Sequence, residues 1–394
     1  EIKPSNLSFE KLGILIKKGL ITSKNSHFLC FYPNVIKKLK NTFPDIPATL
    51  NVVPVFYNYD FDKAVRVLDE AREIYPEHPG VHFIWAAARW VRAQANSPVD
   101  ETYKTLENDL QIILPIYEAL VLKFDYDPMY RLYRGSAIGL TARVSLGKKQ
   151  WIRTLYRAYK GFVIINDVAT NYPELADAQL PIGIVEYYSG ISNRLLKFAA
   201  GFYDLNPSKD SGLQKISVSA DRGTWSWIES KAILSNLYLW VEDEPILAVD
   251  YTKSLVQNFP NNFYFNLLYL EALIRTGDLS VSAKFIEKME EKIKNLTERQ
   301  KEWFEPYLYY EKALLEFQKL NFEGALDLLS FTIENYSAEL DIVLGNAFLL
   351  EGMSHDKLYN RSKAKESYYN CIYLDNFSGS INQAKLYLKK PYRN

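Results

Sequence analysis

The stretch FDKAVRVLDEAREIYP, Phe61 to Pro76, decides the fold. Its apolar residues fall at 61, 64, 65, 67, 68, 71, 74 and 75 with charges opposite, which is the stripe of a helix packed on one side. Ala64 stands twelve residues before Pro76, and Ala248 stands twelve before Pro260 in AVDYTKSLVQNFP. Ala325 and Ser337 repeat the interval, as do Ala364 and Asn376. Upstream of these, Ala313 in YLYYEKALLEF and Gly352 in AFLLEGMSHDKL each precede the next helix's alanine by twelve. Small residues on two antiparallel helices let their axes approach, and a proline stops the second helix. The spacing therefore predicts helical hairpins in series, with turns at IRTGDLS (274–280) and YDPM (126–129).

Composition agrees with a packed, folded chain. Of its 394 residues 48% are hydrophobic and 14% aromatic, ample apolar area for a core. Lys plus Arg equals Asp plus Glu at 47 each, so no global field draws the protein to nucleic acid or an anionic membrane. Apolar runs such as FAAGF (198–202) fall far short of the ~20 residues that span a bilayer, so no transmembrane segment is expected, while peripheral membrane association stays open. Cys30 and Cys371 fit neither a disulfide framework nor a CxxC motif and read as two buried thiols. The start at Glu1 and the neutral charge are read as those of a processed periplasmic or outer-membrane-associated protein, with a cytoplasmic chain as the alternative.

The small-residue, alanine and proline spacing of about 34 resembles the tetratricopeptide repeat. The stretches NYPELADAQLPIGIVEYYSGI (171–191), SGLQKISVSADRGTWSWIESKAILSNLYLW (211–240) and NFPNNFYFNLLYLEALIRTGDL (258–279) are similar to a bacterial family of tetratricopeptide proteins. That family is distantly akin to eukaryotic tetratricopeptide proteins linked to the mitochondrial outer membrane and inclusion-body clearance. The resemblance implies an all-α, right-handed α-solenoid of tetratricopeptide-like hairpins that binds protein, with no catalytic motif to transfer. Residues 1–58 are expected to form a divergent N-terminal helical cap, because DIPATLNVVPVF (45–56) breaks up a first helix and end repeats must cover an apolar face. Residues 59–394 are the expected solenoid, regular at about 60–95 and 225–376 and irregular at 96–224, with an apolar insertion at 192–210.

Chemistry-bearing motifs are scarce. There is no GxSxG, no P-loop and no GxGxxG after a strand. His78 and His82 are spaced i, i+4, but His78 sits in the turn PEHPG, so the pair is expected at the surface and not on a metal. The carboxylate groups EDE (242–244) and EKMEEK (287–292) read as an inter-helix turn and a solvated face. No cofactor and no metal is implied, and the chain is expected not to be an enzyme.

Two features point to binding. From Arg131 to Lys160 the chain carries eight basic residues and no acidic one. Lys149, Arg153, Arg157 and Lys160 fall along one helix face, with Ile152, Leu155, Tyr159 and Phe162 on another, which is the pattern of a stripe for an anionic partner. The bland reading pairs those charges with acids of a neighbouring hairpin. Second, projecting the repeat register places Tyr187, Tyr188, Trp240, Tyr307, Tyr310 and Asn346 on the wall of a concave groove, where Tyr and Trp make efficient anchors. The expected function is a scaffold or adaptor that binds another protein within a multi-subunit assembly. The rival is an enzyme or small-molecule receptor using a cavity around 161–210.

Overall fold

Helix starts are written into the sequence as caps. The Asp127 carboxylate accepts from the Met129 amide at 2.9 Å, just ahead of Pro128, whose fixed φ suits a first helical position. Asn262 accepts from the Phe265 amide at 3.0 Å, and Thr297 and Gln300 form a reciprocal capping box with both bonds at 3.1 Å. The computed structural model describes residues 28–30, 48–50, 53–192, 207–338, 340–376 and 378–393. The expected cap therefore lies largely outside the described residues, as does most of the insertion at 192–210.

The described chain is helical apart from one short parallel pairing, β1 (Phe28–Cys30) with β2 (Ala48–Leu50). The broken stretch 45–56 thus contributes a strand and a five-residue helix, α1 (Val53–Tyr57). There follow α2 (Phe61–Ile74), α3 (Val81–Gln94), α4 (Val99–Lys123), α5 (Pro128–Gly147), α6 (Trp151–Asn171), α7 (Gln179–Ile191) and α8 (Lys209–Arg222). The second half comprises α9 (Trp227–Trp240), α10 (Pro245–Asn258), α11 (Phe263–Arg275), α12 (Leu279–Ile293), α13 (Glu298–Gln318), α14 (Phe322–Asn335), α15 (Ile342–Lys357), α16 (Arg361–Tyr373) and α17 (Gly379–Lys389). The described residues fall into two compact units, those up to Arg92 and those from Ala93 on, with the boundary inside α3. In the first unit the Trp85 indole donates to Asp69 at 2.6 Å and the Arg72 guanidinium lies 3.7 Å from the Trp85 ring centroid, tying α3 to α2.

In the second unit each helix packs on its neighbours in sequence, and first helices of adjacent hairpins also meet, α9 on α11, α11 on α13 and α13 on α15. This is an α-solenoid of tetratricopeptide-like hairpins. The alanines of the repeat register, Ala248, Ala313, Ala325 and Ala364, are fully buried, as the close approach of paired helices requires. Residues 96–192 and 207–224, where that register fades, are hairpins as well. Here glycine replaces alanine: a Cβ on Gly161 would lie 2.6 Å from the Gly135 carbonyl oxygen, and one on Gly212 would lie 2.7 Å from the Gly183 carbonyl oxygen. Backbone meets backbone between α5 and α6 and between α7 and α8, which no larger residue permits. Small cores are strung along the array, one of Leu132, Ile165 and Ile182 and another of Tyr187, Ile216 and Leu234.

Two further details follow from single residues. Pro306 lies inside α13 and has no N–H to give the Glu302 carbonyl, and the Ser337 hydroxyl donates to that carbonyl at 3.2 Å instead. Contacts also cross large sequence distances. Thr297 donates to the Ala95 carbonyl, Lys149 reaches Asp341 at 2.8 Å, and Gln383 donates to Asp243 at 2.7 Å. The second unit curls until its later hairpins touch its earlier turns.

Candidate functional site

The basic stripe falls on α6 and on the turn before it. Arg153, Tyr156, Arg157 and Lys160 line a groove of about 480 Å³, whose other walls are Leu114 of α4 and Ile138 and Thr141 of α5. Arg157 is held from behind, donating to the Thr141 carbonyl and the Ser145 hydroxyl, both at 3.0 Å, with Glu107 at 3.9 Å. Lys160 stands 4.6 Å over the Tyr156 ring. Among the described residues Arg153 has only a 3.4 Å contact to the Gln150 side chain. Neither Arg153 nor Lys160 has an acidic partner among the described residues.

Lys149 is not on that helix face. It occupies the α5–α6 turn with φ at +51°, and its ammonium pairs with Asp341 at 2.8 Å and donates to the Leu374 carbonyl at 2.9 Å. It fastens two distant hairpins. Arg131 is likewise spoken for by Asp167 at 2.7 Å. The eight cations thus divide: some hold neighbouring helices together, and Arg153 and Lys160 are left to solvent. Ile152, expected on the packed face with Leu155, Tyr159 and Phe162, is 74% exposed, and Tyr156 and Val163 also stand out from α6. An exposed apolar strip (152, 156, 163) therefore runs beside the cationic one (153, 157, 160).

The aromatic residues projected onto a groove are mostly interior. Tyr187, Trp240, Tyr307 and Tyr310 are buried, and Asn346 is buried as well; Tyr188 alone of the set reaches the surface. The cause is a set of acidic residues inside the array. The Tyr187 hydroxyl donates to Glu242 at 2.5 Å, which Lys209 also meets at 2.6 Å. The Trp240 indole donates to Glu271 at 2.7 Å, and the hydroxyls of Tyr307 and Tyr310 approach the same carboxylate at 3.4 and 3.5 Å. Arg275 completes the group, pairing with Glu271 and with Asp243. Polar atoms of this kind in an apolar interior are tolerated only with partners, and the aromatic hydroxyls and indole supply them. These side chains therefore join first helices to one another, and a peptide on the surface does not reach them. Glu311, on α13, is fully buried beside Glu271, and its carboxyl oxygens have no hydrogen-bond partner among the described residues. Burial drives its carboxyl far above the ordinary carboxylate range, and the neighbouring Glu271 charge pushes the same way.

The remaining candidates are structural. His82 is buried: its Nε2 donates to the Pro76 carbonyl at 2.7 Å, and its Nδ1 accepts from the Arg72 guanidinium at 3.1 Å. It is a core residue and not half of a surface pair, and burial holds it below the ordinary imidazole range. Among the described residues no group of three or more His, Cys, Asp or Glu is arranged to hold a metal ion. No helix there is long and apolar enough to cross a membrane. Cys371 is buried, and burial pushes its thiol up to about 11. The two best-formed hollows are the basic groove and one of about 370 Å³ at Asp69, Arg72, Glu73 and His82, so the described part of 161–210 lines neither.

Sequence reasoning missed the buried carboxylates, although the signal was there. Glu271 and Glu311 are charged residues set within the apolar runs NLLYLEALI and YLYYEKALL, on the face that packs. It missed Asp177 too, a buried carboxylate that accepts from the amides of Thr224, Trp225 and Ser226 and from the Ser226 hydroxyl at 2.7 to 3.1 Å, and so anchors the start of α9.

No protein-family model matches the sequence, and no curated protein gives a significant match. Among solved structures, the chain is similar to a tetratricopeptide repeat protein from Parabacteroides merdae, at 10% identity over 78% of this chain and 98% of that one, with a TM-score of 0.43. It is also similar to yeast Tom70, at 12% identity over 90% and 87% with a TM-score of 0.34. A third likeness is to the tetratricopeptide domain of P58(IPK), at 12% identity over 92% and 98% with a TM-score of 0.25.

Proposed function

We propose that the chain is a non-catalytic scaffold that binds another protein within a larger assembly, and that the groove between α4, α5 and α6 is where the partner docks. One observation carries this reading: Arg153 and Lys160 are exposed and, among the described residues, without acidic partners, beside an exposed strip of Ile152, Tyr156 and Val163. Paired charges hold a fold together, whereas unpaired cations next to exposed apolar area are what a binding surface needs. Arg157, already oriented by Thr141 and Ser145, adds a guanidinium whose geometry is set before a partner arrives. Of the aromatics first assigned to a groove, Tyr188 is the one whose exposure suits contact with a partner.

The experiment is affinity purification of the wild-type chain and of the Arg153→Glu, Lys160→Glu double variant from the native source at low and high salt, with crosslinking at Lys148 and Lys160. The expected result is a stoichiometric protein crosslinked at these lysines, released at high salt and absent with the double variant. Retention of the same partner by the variant at every salt concentration sinks the groove assignment. A wild-type chain recovered alone and carrying a small molecule sinks the scaffold reading itself.

A further inference from the structure

The geometry points to an acidic amphipathic helix as the partner element, lying along α6 with carboxylates about one helical turn apart and apolar side chains beside them; this rests on the reading of the groove as the docking surface. Arg153, Arg157 and Lys160 stand at i, i+4 and i+7. At about 1.5 Å of rise per residue the first and last are roughly 10 Å apart along α6. A single phosphate or carboxylate leaves part of that span, and the apolar strip beside it, unused. A helix with acids at the same spacing meets all three cations along one face.

The apolar strip fixes the second half of the recognition. Ile152 and Tyr156 are one turn apart on α6 and stand beside Arg153 and Arg157, while Leu114 and Ile138 form apolar walls of the same groove. The partner must therefore be acidic on one strip and apolar on the next. Nucleic acid lacks the apolar strip. A bilayer surface offers both, but it is flat, and the groove is a concavity between three helices with the Glu107 carboxylate near Arg157. Glu107 is also the group an incoming acid must displace, and at 3.9 Å it is loosely held.

The test uses the full chain and a fluorescein-labelled helix-forming peptide with glutamates at i, i+4 and i+7 and leucines alongside. A second peptide has the same composition with the glutamates scattered around the helix. The patterned peptide is expected to bind at least about tenfold tighter than the scattered one and to weaken at least about tenfold from 0.05 to 0.5 M salt. It should weaken comparably with Arg153→Glu, Lys160→Glu and several-fold with Ile152→Ser, each variant keeping the wild-type circular dichroism. Equal binding of the two peptides overturns the inference, as does binding of neither. So does displacement of the patterned peptide by millimolar inorganic phosphate, or preferential binding to phosphatidylserine vesicles. The docking reading is judged separately by the native crosslink at Lys148 or Lys160, which can persist when the peptide result fails.

Discussion

Glu271 and Glu311, on adjacent first helices, are neighbouring carboxyl groups in the interior of the second unit, and neither side chain reaches solvent. Two ionised carboxylates side by side in an apolar interior repel each other and lack water, so one of them keeps its proton. Arg275 and the Trp240 indole stabilise charge on Glu271, whereas neither carboxyl oxygen of Glu311 has a hydrogen-bond partner among the described residues, so burial favours the neutral acid at Glu311. Adjacent first helices, α11 and α13, thus meet at a carboxylic acid kept neutral by burial.

The protein should accordingly lose stability on the alkaline side. The folded state holds a proton on Glu311 that the unfolded chain releases near pH 4.3, so folding binds more protons and stability falls as pH rises from there through the raised folded value. Glu311→Gln keeps the shape and a donor without the charge. We expect it to raise the melting temperature at pH 8 by a few degrees, a gain of about 1 kcal/mol or more, and to flatten the decline that begins above the ordinary carboxylate range. Thermal melts against pH check this, and a variant less stable than wild type at pH 8 refutes the assignment.

The facing glycines of α5 and α6 give opposite expectations for two neighbours. Gly161→Ala drives a Cβ into the Gly135 carbonyl and the Gly139 backbone, and should cost about 2–3 kcal/mol in urea unfolding. A Cβ at Gly139 meets nothing within 4 Å, so Gly139→Ala should stabilise by about 0.5–1 kcal/mol through helix propensity.

Asp177 tests how much of α9 depends on one side chain. Asp177→Ala removes the acceptor of three backbone amides and of the Ser226 hydroxyl, which keeps only Ser219, and should destabilise by about 3 kcal/mol. Asp177→Asn retains one acceptor oxygen and should cost less. Hydrogen exchange at residues 224–226 should speed up in both, more in the alanine variant.

Lys149 and Asp341 form a bridge that is half exposed on the lysine side. A double-mutant cycle with Lys149→Ala and Asp341→Ala should give a coupling of about 0.3–1 kcal/mol that shrinks with salt.

Much of the fold was legible because helix periodicity and small-residue spacing depend on few residues. Ala248, Ala313, Ala325 and Ala364 lie where the twelve-residue interval put them, buried at helix crossings. The middle was less legible because α5 and α6 are longer than the standard helix pair, so Gly135 and Gly161 meet at a separation of 26 residues and fall out of register. The cationic groove was readable from the absence of acids between 131 and 160. Whether each cation was already paired was not, since Asp341 lies 192 residues from Lys149. The groove aromatics failed on direction: Tyr187 and Tyr188 are adjacent, about 100° apart around the helix, and one is buried while the other is exposed. A register wrong by one residue exchanges interior for surface.

The contacts that join Ala95 to Thr297, Lys149 to Asp341 and Asp243 to Gln383 have a mechanical meaning. A row of hairpins touching only its neighbours stretches like a spring, each junction yielding a little. Here the later coils are stitched to the earlier ones, so a pull on the ends of the second unit loads the stitches before any hairpin opens. Such a body yields a little less at small extension than a free row of hairpins, by the small energy that each solvent-facing stitch contributes.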